Sequence, residues 1–309
     1  MKKFLFITLL SASLLFGQGI SVTSAPAPLG DGDDQYAFGR FSPDGRFALL
    51  SLKGYAKIEL VEMATSKRSI IMSDAPGAGW GTRWNRSGDR FIFKVNTPSG
   101  DGAKSVSLYE YVDGSGLTKV ADLDPAANNL VFYSLFGNGI TTEGADGNPV
   151  PVRNSEETGD VSYFISNGKL KVIDKSGKLA PGVPQMVELK EKVLFAEWSP
   201  SGKRLAIHAA GSGVTVFDLE KGTEQNFPGV EYPSWINDDY LTFMATEDDG
   251  YTLINSEIMV VKFDGTESEI ITRDFKLPAL WPSAAPDGTL MFTGADNRIY
   301  ITKVEFLKN

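Results

Sequence analysis

The stretch FSPDGRF at 41–47 is written again, with small changes, as WSPSGKRL at 198–205 and AAPDGTLMF at 284–292. A corner of this composition has one local solution. Pro43, Pro200 and Pro286 pre-set φ for the second position of a tight turn, and Gly45, Gly202 and Gly288 supply the left-handed backbone that closes it. After each corner comes a short, β-rich, nearly continuous apolar run (RFALLSL, RLAIHA, TLMFTG), the pattern of a strand covered on both faces. A chain that turns the same corner repeatedly is a repeat protein, and the unit between corners decides its architecture.

The bulky residue just before the corner serves as an anchor. Anchors stand at Phe41, Trp84 (RWNRSG), Leu135 (SLFGNG), Trp198, Trp235 (SWINDD) and Ala284, spaced by 37 to 63 residues. Three residues upstream stand Phe38, Gly81, Phe132, Phe195, Tyr232 and Trp281, a second and independent register. Later in each unit come a third run (KIELVEM, SVSLYEYV, VTVFDLE, EIMVVKF), a tight turn (DGSG, EKG, DGTE) and a weaker fourth run. Four antiparallel strands per unit, repeated radially, make a β-propeller. The spacing predicts an all-β fold of six blades; a β-sandwich would not need a unit of this length to recur. The last unit, ending in NRIYITKVEF, holds three strands, so the segment around 20–25 is expected to add the fourth and close the ring. The region 125–190 fits the repeat poorly. Within it VSYFISNGKLKVIDKSGKL (161–179), with Asn167-Gly168 as a hairpin turn, also reads as a truncated seventh blade.

The first residues, MKKFLFITLLSASLLFGQG, combine two lysines, an apolar core from Phe4 to Phe16 and small residues suited to cleavage after Gly19. Thirteen apolar residues are too few to span a bilayer, which needs about 20. The expected organisation is a signal peptide over 1–19 and one propeller domain over 20–309. The mature chain is then periplasmic or secreted and has no transmembrane segment. Zero cysteines exclude disulfides, cysteine-ligated zinc and thiol nucleophiles. The formal charge of −9 speaks against a nucleic-acid partner, which needs a basic footprint.

With YPSW (232–235) and WPSAAPDG (281–288), the corner and its flanking strands resemble the TolB-type, WD-like repeat of bacterial envelope propellers. The likeness spans nearly the whole mature chain apart from 125–190. It implies a periplasmic protein-interaction scaffold, or a propeller module of the kind fused to enzymes. The separate N-terminal domain typical of TolB itself has no counterpart here, and neither does the hydrolase domain that follows the propeller in prolyl-oligopeptidase-like enzymes.

Catalytic candidates are few. His208 is the one histidine, so a Ser-His-Asp triad or a His-assisted metal site would have to use it, yet it lies inside the strand RLAIHA beside an anchor. No G-x-S-x-G elbow occurs, and no residue is assigned a catalytic role or a metal. In an up-and-down blade the loops after strands one and three share one face of the disc. Those after strands two and four share the other. The second set holds the long stretches 96–104, 143–160 and 245–257, so that face is expected to bind. It is acidic, with Asp101, Glu156, Glu157, Asp248 and Asp249 as candidates toward a cationic partner. No cofactor is required. Calcium is left open because DGDD (31–34) and EDDG (247–250) resemble fragments of calcium loops without their full spacing. The position before each anchor faces the channel: Arg40, Arg83 and Glu197 hold three of these places, and Ser134, Ser234 and Ser283 fill the other three. Such a ring holds a small anion, or only water and mutual ion pairs. The aromatics of the second register are expected to pack between blades. The reading is a non-catalytic, exported propeller binding an envelope or extracellular protein through its long-loop face. The alternatives are a small-ligand or divalent-ion-binding propeller, and a carboxylate-dependent hydrolase or lyase.

Overall fold

The computed structural model describes residues 19–30, 34–98, 104–125, 131–144, 146–155, 161–174, 189–249 and 251–307. Among them every regular element is a strand, and no helix is long and apolar enough to cross a membrane. The strands form a six-bladed β-propeller. The first blade runs outward through β2 (Tyr36–Phe41), β3 (Phe47–Leu52), β4 (Ile58–Glu62) and β5 (Lys67–Met72). The second is built of β6 (Arg83–Trp84), β7 (Arg90–Pro98), β8 (Lys104–Val112) and β9 (Gly116–Leu123). The third has three strands, β10 (Val131–Tyr133), β11 (Ile140–Glu143) and β12 (Pro149–Arg153). After a hairpin of β13 (Val161–Ser166) and β14 (Lys169–Asp174), blade four holds β15 (Val193–Trp198), β16 (Arg204–Ala209), β17 (Gly213–Asp218) and β18 (Thr223–Phe227). Blade five is β19 (Val230–Trp235), β20 (Tyr240–Asp248), β21 (Leu253–Lys262) and β22 (Ser268–Ile270). Blade six is β23 (Ala279–Ala284), β24 (Thr289–Gly294) and β25 (Ile299–Phe306), with β1 (Ile20–Pro28) as its outer strand.

The closure by β1 is antiparallel, from Ile20 opposite Phe306 to Pro28 opposite Tyr300. The Leu307 N–H donates to the Gly19 carbonyl at 2.8 Å, and Ile20 is buried with Ile236, Val260, Leu290 and Val304. The predicted corners share one glycine-closed turn, and the sixth-blade corner closes one residue sooner than the other two. The Ser42, Ser199 and Ala285 N–H groups donate to Phe47, Arg204 and Thr289 at 2.8–2.9 Å, and Gly45, Gly202 and Gly288 sit at φ of +74°, +76° and +84°. Ser42 Oγ also accepts from the Phe47 N–H at 3.0 Å, and Asn85 Oδ1 does the same for Arg90 at 3.1 Å.

The apolar character of the second and third strands has a direct cause: the core lies between blades. Leu49, Ile58 and Leu60 of the first blade pack on Phe91 and Phe93 of the second, and Val214 and Val216 of the fourth pack on Leu241 and Phe243 of the fifth. Both faces of each sheet are therefore covered, and hydrophobic burial around the whole ring is the main stabilising force.

Two expectations for the third blade are corrected. Residues 143–160 are not one long loop, because β12 occupies 149–153 and pairs with β11 after a short turn in which the Gly144 N–H donates to Asn148 O at 2.8 Å. The hairpin 161–174 forms on Asn167 (φ +49°) and Gly168 (φ +73°) as the sequence suggests, but with the polarity of an insertion. Its start is tied to the corner end of blade three by the Leu135 N–H donating to Val161 O. Its tip is tied to the other end of blade four by the Val193 N–H donating to Gly168 O, both at 2.7 Å. Strand β13 thus runs against the direction of the other channel-lining strands.

Candidate functional site

Each inner strand ends in a corner, so the six positions before the anchors gather at the corner end of the channel. Arg40, Arg83, Glu197, Ser134, Ser234 and Ser283 all line one cavity of about 180 Å³, with Phe132, Phe195 and Tyr163 among its apolar walls. Hydrogen bonds between neighbouring blades fix this ring. Ser283 Oγ accepts from the Phe41 N–H at 2.9 Å, Ser234 Oγ accepts from the Ala284 N–H at 3.3 Å, and the Trp235 indole N–H donates to Glu197 O at 3.1 Å. The Tyr163 hydroxyl of the inserted hairpin donates to Ala196 O.

Charge in the cavity is unbalanced. Arg40 and Arg83 lie 5.2 and 5.4 Å from the centre of the same Phe195 ring, a cation–π geometry. Burial and the neighbouring Arg83 bring Arg40 down to about 10. Burial pushes Glu197 up to about 7 against the pull of both arginines, and Glu197 Oε2 is buried without a hydrogen-bond partner among the described residues. Lys94 on β7 lies outside the cavity lining but within reach of Arg83's charge, and burial and Arg83 lower it to about 8.

The opposite end of the channel is aromatic. Phe38, Tyr232 and Trp281 are half-buried there, while Phe132 belongs to the core beside Tyr163 and Phe195 lines the cavity, so the second register does not pack uniformly between blades as expected. Trp281 meets Tyr232 edge-on at 4.2 Å, and Tyr55 meets Trp80 edge-on at 5.2 Å. Tyr55, Tyr232 and Trp281 carry φ of +57°, +49° and +56°. Left-handed backbone at a bulky residue costs on the order of 1–3 kcal/mol and gathers at functional sites. At Tyr232 and Trp281 the conformation accompanies a register break in the inner strand, where Pro233 and Pro282 have no N–H to leave unpaired. On the same face the molecule exposes Trp80 (55%), Leu194 (47%) and, at the tip of the β20–β21 hairpin, Tyr251 (96%) with Leu253 and Ile254.

The acidic candidates divide. Asp101, Glu156 and Glu157 lie outside the described residues. Asp248 and Asp249 are exposed at the β20–β21 tip, where Asp249 accepts from the Tyr251 and Thr252 N–H groups at 2.9 and 2.8 Å and is held below the usual carboxylate range by those bonds. Asp249 therefore shapes its own turn. Among the described residues no group of three His, Cys, Asp or Glu is placed to hold a metal ion. His208 is buried within β16, edge-on to Tyr232 at 5.3 Å, with Nδ1 unpartnered and its pKa lowered by desolvation. The exposure of Trp80 and Leu194 was missed from the sequence because neither stands at an anchor or three residues before one.

No family model matches the chain, and no curated protein matches it. Among solved structures, the β-propeller domain of Cps50 (Swd1) from Myceliophteria thermophila aligns with a TM-score of 0.59 at 13% identity, over 93% of this chain and 100% of that one. At that identity the likeness is one of fold: a WD40-like β-propeller.

Proposed function

We propose that the chain is an exported, non-catalytic propeller of the TolB-like kind that binds a protein of the envelope or extracellular space through its long-loop face. The observation that carries the reading is the long-loop face itself, where Trp80, Leu194 and the Tyr251 hairpin tip all expose large apolar side chains on the same side of a rigid ring. Single exposed apolar residues are common, but several large ones on one face, with Trp80 set against the left-handed Tyr55, mark an interaction surface. Export rests on the lysine-led apolar segment 4–16. The non-catalytic part is supported by the sealed position of His208.

The test is a comparison of the wild-type chain with a Trp80→Ala, Tyr251→Ser, Ile254→Ser variant as baits in an envelope extract, followed by titration of the purified partner. All three side chains are exposed, so the melting temperature should hold while affinity falls by tenfold or more. Equal capture and equal affinity by both baits would remove the loop face from the reading.

A further inference from the structure

The cavity at the corner end of the channel poses a charge problem that the fold does not solve. Elsewhere the half-buried arginines are paired: Arg90 with Asp89 at 3.5 Å, Arg153 with Glu110 at 2.7 Å and Arg204 with Asp218 at 3.4 Å. Arg40 and Arg83 have no carboxylate within ion-pair distance among the described residues; Arg83 donates to Thr82 O at 3.1 Å, and both rest on Phe195. Two guanidiniums face one glutamate across the cavity, with Lys94 near Arg83 adding positive charge behind the lining, in a chain whose net charge is −9. Uncompensated cations in a confined site are costly, and an anion removes the cost. The buried hydroxyls of Ser234 and Ser283 each accept a backbone N–H, and neither hydroxyl hydrogen has an acceptor among the described residues, so both remain free to donate.

We infer that this cavity binds a small planar carboxylate, held by the forks of Arg40 and Arg83 and the hydroxyls of Ser234 and Ser283, with its apolar body against aromatic residues of the lining other than Phe195. A guanidinium fork matches a carboxylate in two parallel hydrogen bonds. The space suits this class, since a dry cavity of about 150 Å³ already admits a benzene-sized molecule. Phosphate would fit worse: it has no apolar body to cover the aromatic wall, and its second charge would meet Glu197. The carboxylate has two possible sources, a free organic acid or the C-terminus of a polypeptide entering the channel. The site is distinct from the long-loop face and does not depend on it.

Benzoate serves as the probe, titrated into the full chain by calorimetry beside inorganic phosphate and a short phenylalanine-ended peptide as free acid and as amide. Benzoate should bind saturably, phosphate at the same concentration should not, and Arg40→Gln or Arg83→Gln should weaken binding by roughly ten- to a hundredfold. Binding by the free-acid peptide, with none by benzoate or the amide, assigns the site to a chain terminus and keeps the carboxylate chemistry. Should the glutamine variants fail to fold, the unaltered protein still decides. Trp84 and Trp198 line the same cavity, so bound benzoate must perturb tryptophan fluorescence. No signal with benzoate or either peptide, phosphate binding as well as benzoate, or folded arginine variants that bind like wild type would each overturn the assignment.

Discussion

The two ends of the central channel are made from the same six inner strands and obey different rules. At the corner end, glycine-closed turns recur, the residues before the anchors fall into one ring, and neighbouring blades are joined by hydrogen bonds such as Phe41 to Ser283. At the loop end the strands break register, aromatic residues adopt left-handed backbone and apolar side chains reach solvent. The difference teaches where this fold spends its regularity: a repeat must agree with itself where blades turn into one another, and is released from that demand where they splay.

The contrast is broken most severely at Gly288. A Cβ there would stand 2.2 Å from the Val304 carbonyl oxygen, with φ at +84°, and backbone cannot step aside. Gly288→Ala should cost about 3 kcal/mol or more in chemical denaturation. The next effect is electrostatic. Glu197 has a folded pKa of about 7 against an ordinary 4.5, so the native state takes up its proton first, and stability falls as pH rises from about 4.5 to about 7. Arg40, Lys94 and Tyr163 around it keep their charge states through that window. Glu197→Gln should abolish this slope and exceed wild type by about 2 kcal/mol at pH 8, with the gap closed near pH 4 in melts across the range. The smallest effect belongs to the loop end. Gly81 has φ +71° with nothing within 4 Å of an added Cβ, so Gly81→Ala should cost only about 1 kcal/mol of backbone strain in the same assay. A Gly81 penalty equal to that of Gly288 would erase the distinction between the ends.

These ends were also unequally legible in the sequence. The corners could be read because their chemistry is local: proline, a short polar residue and glycine within four positions specify the turn wherever it stands. The closing strand followed from a count of three strands in the last unit. Strand β12 was hidden because Pro149 and Pro151 argue against a strand, yet β12 lies at a sheet edge, where proline leaves no ladder hydrogen bond unmade. The polarity of the 161–174 hairpin could not be read, since it depends on which end of the ring its neighbours present. Of the candidate site, the ring before the anchors was legible as a register. The exposure of Trp80 was not, because it is decided by the path of a connecting loop.

The pairing of Ile20 with Phe306 carries a consequence for the order in which the molecule can be completed. Ile20 is made long before Phe306, so until β25 has emerged the circuit is open and the sixth blade cannot form. Such long-range pairing is slow to form. The last latch cannot close until the far strand has arrived, and that delay would serve the export proposed above.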